Sequence, residues 1–412
     1  MGGLYVSNLG CKVNRVESDS LLARAQRCEW IADSEKDADV IVVNTCTVTG
    51  EAQKKTRKAI RQALRSNDDA RIVVAGCAAA IDPDELASID PRIVIVSKQD
   101  LETYIEEMLP ANEIEACDAL RVGERFRTRV GIKVQDGCAN ACTYCIVHTA
   151  RGKVWSKPSS SVIDEAIRYM GAGVRELVFA GINLGSYNDG GMGITDLVFE
   201  VLKATDAVDE KGIPAMRLRL SSIEPCDIDD AFIELLASSN GRVCRHLHIP
   251  VQSGSSKVLS EMARPYDADA YLDLIRRLYE RVPKISISTD IIVGFPGETD
   301  QDFKETLELA RACRFSKIHV FPYSRRKGTP AAIRPDQIDP EAKRIRSTSL
   351  RALSDELRKE DAESRIGDEE LVVVERAGRG LTESYHEVRV SKKVPLGSMV
   401  RARIERGSCV VL

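Results

Sequence analysis

The sequence lacks any apolar run of about 18 residues, the length at which a run suggests a membrane-spanning helix. It also lacks a basic segment ahead of the apolar residues of its first stretch, MGGLYVSNLGC, so we expect no secretory signal. We therefore expect a cytoplasmic protein with no membrane partner. In that reducing compartment, the twelve cysteines favour ligation of a cofactor over disulfide bonds.

Length and charge limit the architecture. A chain of 412 residues exceeds the size at which a single hydrophobic core stops growing, so two or three domains are expected. The formal net charge is −4, yet residues 317–412 carry 20 Lys and Arg against 15 Asp and Glu. A basic carboxy-terminal part on an acidic body favours a localised contact with a polyanion over a general coat of nucleic acid.

Three cysteines, the barrel cysteines, lie in the tight spacing Cys138-x3-Cys142-x2-Cys145, and no other nearby cysteine completes a set of four. Zinc sites and iron–sulfur clusters usually take four protein ligands. Three thiolates leave one metal ion with an open coordination position, where a substrate or cofactor can bind directly. A loop of buried thiols or a degenerate zinc knuckle is the structural alternative.

The first hundred residues alternate apolar runs with amphipathic stretches, a pattern typical of a parallel sheet covered on both faces. The predicted strands are LYVSN, VIVVN and RIVVAG. A cysteine follows each strand, and these amino-terminal cysteines are Cys11, Cys46 and Cys77. Because ligands collect outside the carboxyl ends of parallel strands, the three thiols should converge and could hold a second three-thiolate cluster. Three unrelated small residues at strand ends are the alternative.

Helices are predicted between these strands, near residues 14–29 and 49–66, and a weaker unit follows at 82–108. The second helix is strongly basic, because its segment QKKTRKAIRQALR contains no acidic residue. Contact with a phosphate backbone beside the cluster and a merely solvated helix both remain open. The candidate RNA-binding residues are Lys54, Lys55, Arg57 and Lys58.

From residue 128 the chain shows six predicted strands, RVGIKVQ, ELVFAG, MRLRLSS, HLHIPV, ISISTDIIVG and KIHVFPY. Amphipathic segments separate them, notably at 160–172, 228–238, 267–282 and 300–313. Six βα units make an incomplete barrel, whose active site belongs at the carboxyl ends of its strands. Polar or glycine-bearing turns follow those ends, and they supply the candidate binding groups Asn183, Ser221, Glu224, Gln252, Gly294 and Gly297.

A charged helix, predicted at roughly 340–364, leads into the short strands ELVVVE, EVRVS, MVRARIE and CVVL. Glycine and proline supply the turns between them, as expected of a small β-barrel. We predict an amino-terminal α/β domain at 1–109, a linker at 110–127, a partial barrel at 128–364 and a β-barrel at 365–412.

The spacing of the barrel cysteines, followed by a barrel-like chain, resembles the radical S-adenosylmethionine (SAM) superfamily. The segment GLTESYHEVRV resembles the TRAM domain, an OB-like module that binds RNA. Together with the amino-terminal cysteines, the arrangement resembles the radical SAM methylthiotransferases over essentially the whole chain. GCKVNRVES and VNTCTVT look most like the branch that modifies threonylcarbamoyladenosine at position 37 of tRNA. The stretches VQDGC, ARGK, LRLSSIEP, HLHIPVQSGS, DIIVGFPGET and FPYSRRKGTPAA also agree with the family.

The resemblance implies a Rossmann-like α/β domain, a partial (β/α)6 TIM-like barrel and a TRAM domain. It also implies two four-iron four-sulfur clusters, and all six cysteines become catalytic residues and metal ligands. The barrel cysteines would hold the cluster that binds SAM, and the amino-terminal cysteines would hold the cluster that presents the sulfur for transfer. Tyr144 fits the family pattern, and the strand-end groups become candidate SAM contacts.

The expected substrate is the anticodon loop of tRNA, and the expected electron donor is a protein such as flavodoxin or ferredoxin. Ala141 and the segment from Ile146 to Thr149 depart from the family pattern, and His148 is either a pocket residue or a satisfied loop histidine. Modification of isopentenyladenosine or of a ribosomal protein aspartate remains an alternative. A third hypothesis is a non-catalytic RNA-binding protein with structural metal. Such a protein would not need the open iron site that three cysteines leave.

Overall fold

The computed structural model describes residues 2–47, 49–110 and 128–412. The linker predicted at 110–127 therefore lies, apart from Pro110, outside the described residues. Within the described ranges, no helix combines the length and the apolar character needed to cross a membrane. The predicted architecture of an α/β domain, a partial βα barrel and a small β-barrel is confirmed, whereas the domain boundaries stay predictions.

The amino-terminal part is a parallel sheet of four strands in chain order. Alternate residues of the buried second strand face different cores: Val40 and Val42 pack with the first helix, and Ile41 and Val43 pack with the second. Burial on both faces explains the continuous run of Val and Ile. The weaker unit predicted at 82–108 resolves into two short helices and a short strand.

The elements of this part follow one another along the chain. They are β1 (Leu4–Asn8), α1 (Lys12–Arg27), β2 (Val40–Thr45), α2 (Gly50–Ser66), β3 (Arg71–Gly76), α3 (Cys77–Ile81), α4 (Pro83–Ala87), β4 (Ile93–Ile95) and α5 (Leu101–Glu106). Helix α1 begins earlier than the sequence predicts, because Cys11 occupies its N-cap position. The basic helix α2 begins after Thr49, whose side chain accepts a hydrogen bond from the amide of Ala52.

The central part contains the strands and helices of the barrel. They are β5 (Arg129–Lys133), β6 (Gln135–Asp136), α6 (Val147–Arg151), β7 (Trp155–Ser156), α7 (Ser159–Gly171), β8 (Glu176–Ala180), α8 (Ile194–Ala204), β9 (Arg217–Leu220), α9 (Asp230–Ser238), β10 (His246–His248), α10 (Ser256–Glu261), α11 (Ala268–Arg281), β11 (Ser286–Val293), α12 (Asp300–Ala312), β12 (Lys317–Pro322) and α13 (Pro340–Ser364). Helix α13 has the predicted length, and α8 is a helix that the sequence analysis did not predict.

Six parallel strands form the barrel as two sheets of three, β5-β8-β9 and β10-β11-β12. Parallel bridges from Leu218 to Val243 and from Ser222 to His248 join the two sheets. One apolar core of strand and helix residues fills the space between them and the outer helices. The strands follow chain order, so all six carboxyl ends lie at the same end of the barrel.

The carboxy-terminal part is a closed barrel in the order β13-β14-β15-β17-β16. Its strands are β13 (Glu369–Arg376), β14 (Arg379–Thr382), β15 (Glu387–Arg389), β16 (Met399–Glu405) and β17 (Ser408–Val411). Its core is small, with Val372, Val374 and Ile404 among the buried residues. This small barrel packs against the strands of the large one through a buried group of charges.

Glu176, Arg217 and Arg219 form that group and have fully buried side chains. Arg217 donates to the carbonyl oxygens of Leu371 and Leu381, at 2.6 and 3.1 Å, and Arg219 donates to two further carbonyls of the small barrel. Burial would raise the pKa of Glu176, but Arg219 and Arg217 hold it well below its usual range. Carbonyl oxygens of the small barrel therefore accept hydrogen bonds from both buried guanidinium groups.

Candidate functional site

The amino-terminal cysteines stand at neighbouring strand ends. Thr45 pairs with Gly76 in the parallel sheet, so Cys46 and Cys77 follow adjacent residues of adjacent strands. Both are buried, and Cys77 is the first residue of α3. Cys11 caps α1, and its Sγ lies 3.6 Å from Asn14 Oδ1. The structure thus brings the three predicted residues to one edge of the sheet.

Gly76 allows this close approach. Its φ is +94°, and a Cβ at this position would lie 2.5 Å from the carbonyl oxygen of Thr45. Thr45 Oγ1 in turn accepts hydrogen bonds from the amides of Ala78 and Ala79, at 3.2 and 3.3 Å. A residue larger than glycine would push the ends of β2 and β3 apart, and Cys46 and Cys77 directly follow those ends.

Positive side chains surround these thiols. Lys98 Nζ lies 4.0 Å from Cys77 Sγ and donates to the carbonyl oxygen of Ala150 at 2.8 Å. Arg326 is buried and donates to the carbonyl oxygen of Thr47, next to Cys46. Cationic neighbours favour the thiolate, which is the form that ligates metal. The donor set therefore fits a group held by three thiolates.

The barrel cysteines line a cavity of about 240 Å³ at the carboxyl ends of the strands. Three of the predicted cofactor-binding residues, Tyr144, Glu224 and Gln252, also line this cavity. The wall also includes Thr49 of the amino-terminal part and Ser324 of the loop after β12. The amide of Gly50 donates to Ser324 Oγ at 3.1 Å, so the cavity lies where the two parts meet.

Each barrel cysteine receives a hydrogen bond at its sulfur. The amides of Asn140 and Val147 donate to Cys138 and Cys145, both at 3.4 Å. The guanidinium Nη1 of Arg264 donates to Cys142 at 3.2 Å, a contact that the sequence analysis missed. Such donors stabilise the thiolate ligands of an iron–sulfur cluster. These residues therefore fit the four-iron four-sulfur cluster that the resemblance implies.

Protons and metal compete for these sulfurs. Burial raises the pKa of Cys145 to about 12 and also raises that of Cys138. Without metal both groups are thiols at neutral pH, and loading of the site releases protons.

Glu224 is bound to a neighbouring guanidinium. It forms an ion pair with Arg264, the same residue that contacts Cys142. Burial raises the pKa of Glu224, and Arg264 opposes the rise. Arg264 thus links the wall of the cavity to one of the cysteines.

Four predicted cofactor contacts do not line this cavity, and their SAM contacts stay predictions. Their polar groups form hydrogen bonds with other residues of the protein. Asn183 Nδ2 donates to Ser186 and to Asp227, at 2.8 and 3.0 Å. Ser221 Oγ accepts from the amide of Gly181 at 3.2 Å. The other two are Gly294, whose amide donates to the carboxylate of Glu298, and Gly297, whose amide donates to the carbonyl oxygen of Asp336.

A group of two histidines and one aspartate adjoins the cavity. His248, Asp290 and His319 bring potential ligand atoms within 4.8 Å of one another, and Asp290 also lines the cavity. His248 Nε2 is 3.2 Å from Asp290, and its Nδ1 is 2.9 Å from Ser288 Oγ. Burial lowers the pKa of His319. Asp290 thus connects the two histidines to the cavity lining.

The basic helix α2 presents an open groove of about 470 Å³, lined by Lys54, Arg57, Lys58, Arg61 and Arg65. Two of these cations have acidic partners at the surface: Lys54 lies 3.0 Å from Glu51, and Arg57 lies 2.5 Å from Glu85. Lys55, the fourth predicted RNA contact, is exposed but does not line the groove. Since α2 begins beside Thr49, the groove leads away from the cavity wall.

Two family models match the chain, the radical SAM superfamily at residues 132–310 and the uncharacterised family UPF0004 at residues 3–97. A threonylcarbamoyladenosine tRNA methylthiotransferase MtaB from Bacillus subtilis is 39% identical over 91% of this chain and 85% of its own. The chain belongs to the radical SAM methylthiotransferase family. The MtaB of Thermotoga maritima is 35% identical over 95% of this chain and 91% of its own.

A second group of relatives differs in substrate. A tRNA-2-methylthio-N6-dimethylallyladenosine synthase from Carboxydothermus hydrogenoformans is 30% identical over 98% of this chain and 96% of its own. Among solved structures, the radical SAM methyltransferase TsrM from Kitasatospora setae has a TM-score of 0.57 at 18% identity, over 81% of this chain and 77% of its own. At that identity, the likeness supports the fold alone.

Proposed function

We propose that this protein is a tRNA methylthiotransferase that adds a methylthio group to carbon 2 of threonylcarbamoyladenosine at position 37. One observation carries the proposal. Thr49, three residues after Cys46, lines the same cavity as Cys138, Cys142 and Cys145. The segment that follows Cys46 thus borders the cavity of the barrel cysteines. This supports a base that both cysteine sets approach, as replacement of a C–H bond by a C–S bond requires.

The donor chemistry supports two four-iron four-sulfur clusters, one on each cysteine set, with SAM at the barrel cluster. When bound, these cofactors supply the radical that removes hydrogen from the base and the sulfur that replaces it. The protein supplies binding and orientation. Arg264 holds Cys142 and Glu224 together at the lining of the cavity.

The position of the basic helix supports the proposed RNA contact. The groove on α2 offers five cationic side chains, and α2 begins at the cavity wall. Phosphate contacts of this kind hold an RNA backbone without reading its sequence, while an unstacked loop base is read at its edges. We infer that the anticodon loop places its modified adenosine in the cavity while its backbone follows α2. The proposed location is the cytoplasm, with a flavodoxin or ferredoxin as electron donor.

The choice of threonylcarbamoyladenosine rests on the relatives. Four relatives named for that substrate are 33–39% identical to this chain, whereas three named for dimethylallyladenosine are 30–31% identical. The stretches around Cys11 and Cys46 resemble the same branch.

The test is to express the chain in a bacterial strain that lacks its own enzymes for both modifications. Nucleosides from its tRNA are then analysed by mass spectrometry. The expected result is a methylthio group on threonylcarbamoyladenosine and none on isopentenyladenosine. Modification of isopentenyladenosine alone would assign the alternative substrate, and no methylthio nucleoside in either pool would contradict the proposed function.

A further inference from the structure

Arg151 stands between the two cysteine sets. It ends α6, directly after the barrel cysteines, and its side chain is fully buried. Its Nη1 donates to both carboxylate oxygens of Asp136, at 2.9 and 3.1 Å, and to Glu17 Oε1 at 3.1 Å. Its Nη2 donates to Asn14 Oδ1. One guanidinium thus contacts both the barrel and helix α1.

Two of the three partners of Arg151, Asp136 and Asn14, lie close to a cysteine. Asp136 precedes Cys138 by two residues, and its carboxylate also accepts from the amide of Gly137 at 2.8 Å. Asn14 lies one helical turn after Cys11, whose Sγ contacts the same Oδ1 atom at 3.6 Å. The guanidinium therefore reaches the immediate supports of one cysteine in each set.

Asn14 extends the connection to the second amino-terminal cysteine. Its Nδ2 donates to the carbonyl oxygen of Thr45 at 2.8 Å, immediately before Cys46, and lies 3.1 Å from Asn44 Oδ1. Gly10 makes room for this amide, since a Cβ there would lie 2.3 Å from Asn14 Nδ2. A displacement of Asn14 would consequently move Cys11 and the end of β2 together.

A second contact joins the third cysteine to the same segment. Lys98, which lies 4.0 Å from Cys77 Sγ, donates to the carbonyl oxygen of Ala150, the residue before Arg151. Burial would lower the pKa of Arg151, but the carboxylates of Glu17 and Asp136 raise it instead. The charged guanidinium donates to the same Asn14 oxygen that Cys11 Sγ contacts, which places its positive charge beside the amino-terminal site.

We propose that Arg151 is a positioning residue that fixes the spacing of the two cysteine sites and supplies positive charge to the amino-terminal one. The inference rests on the proposed function, because both sites must act on one carbon atom. Arginine suits both roles: its planar fork holds Asp136 and Asn14 at a set distance, and lysine would supply the charge without that geometry. The two roles can therefore be separated by substitution.

The experiment compares Arg151→Lys and Arg151→Gln in the full chain, with Arg276→Gln as control. Arg276 is an exposed arginine of α11 paired with Asp273. The first measurement is the ratio of 5′-deoxyadenosine formed to methylthio nucleoside formed. We expect both Arg151 variants to raise this ratio about tenfold or more, since a 1 Å misplacement can lower a reaction rate about 10²-fold.

The second measurement needs no RNA. It is the midpoint potential of the amino-terminal cluster, followed by electron paramagnetic resonance in a background that carries Ala at the three barrel cysteines. Loss of a nearby positive charge should move the potential to more negative values in Arg151→Gln, while Arg151→Lys should keep it close to that of the parent. Lys98→Met, at the rim of the same site, should shift the potential in the same direction and remains informative if an Arg151 variant does not fold.

The outcomes separate this inference from the proposed function. If the parent protein makes no methylthio nucleoside, the proposed function fails, while the potentials still test the charge of Arg151. If the Arg151 variants lose thermal stability but keep the parent's product ratio and potential, Arg151 is only a structural contact and the inference is wrong.

Discussion

The amide of Gly50 donates to Ser324 Oγ at 3.1 Å, which places the first turn of the basic helix α2 against the loop after the last barrel strand. Arg326 strengthens the junction, because it donates to Ser324 Oγ at 2.6 Å and to the carbonyl oxygen of Thr47 at 3.3 Å. The cationic face of α2 is thereby fixed relative to the cavity. A polyanion held on that face would have a defined register with respect to the barrel cysteines.

Reversing the charge of Lys54, Lys55, Arg57 and Lys58 should weaken tRNA binding and reduce its dependence on salt. Each lost phosphate contact should lower the slope of log K against log salt by about 0.7–0.9. Fluorescence anisotropy across a salt titration measures this slope. Reversal of Lys304 and Arg276, exposed cations of α12 and α11, is the control. An unchanged slope in the α2 variant would mean that these side chains are merely solvated.

Replacing Arg264 by Met should destabilise the protein even without iron, because it leaves the largely buried carboxylate of Glu224 without its partner. Removal of one member of a buried ion pair costs about 3–5 kcal/mol in the free energy of unfolding. Urea denaturation of the iron-free chain measures this. The double variant Arg264→Met, Glu224→Gln should recover part of the loss, whereas equal stability of all three proteins would show that the pair contributes nothing.

Glu176→Gln should disturb the contact between the large and small barrels, because Arg217 and Arg219 would lose their buried counter-ion. We expect a loss of about 3–5 kcal/mol in the free energy of unfolding. Limited proteolysis should release the segment 366–412 more rapidly than from the parent. A surface variant, Glu234→Gln, removes an exposed pair with Arg281 and should behave like the parent. Unchanged proteolysis of Glu176→Gln would refute this account of docking.

The pH dependence of stability should include a contribution from His386. Burial lowers the pKa of this histidine to about 4, although the carboxylate of Asp361 lies 2.6 Å from its Nε2. Because the unfolded chain binds the proton more tightly, stability is full above pH 6.5 and falls as pH drops toward 4. The free energy of unfolding should fall less between pH 7 and pH 5 in His386→Gln than in the parent, by about 1–2 kcal/mol. Parallel stability curves for the two proteins would show that His386 does not titrate in this way.

Sequence alone predicted the parts of the site that depend on local pattern. Strands followed by Cys11, Cys46 and Cys77 could be read from their Val and Ile runs, and parallel pairing then brought their ends to one edge. The spacing of the barrel cysteines indicated an open metal site without any knowledge of the fold. In the barrel set the cysteines are close in the chain, and in the amino-terminal set a local pattern of strand and cysteine is repeated three times.

Contacts between distant segments could not be predicted. Arg264 reaches Cys142 across 122 residues, and its surrounding sequence carries no signal of that partner. The arginines of MRLRLSS indicate a strand, but their burial depends on Glu176 and on carbonyl oxygens more than 150 residues away. Helix α8 was missed because its segment, ITDLVFEVLKA, is rich in residues that also favour strands.

The central claim is that two separate three-cysteine sites act on one substrate. Iron analysis of the anaerobically reconstituted chain tests it most directly, combined with SAM cleavage and nucleoside analysis of the same samples. We predict about eight irons per chain, as two four-iron clusters require. Replacement of Cys11, Cys46 and Cys77 by Ala should leave about four irons, with SAM cleavage retained and thiolation lost. About four irons in the parent protein, or thiolation that survives loss of the amino-terminal cysteines, would contradict the account.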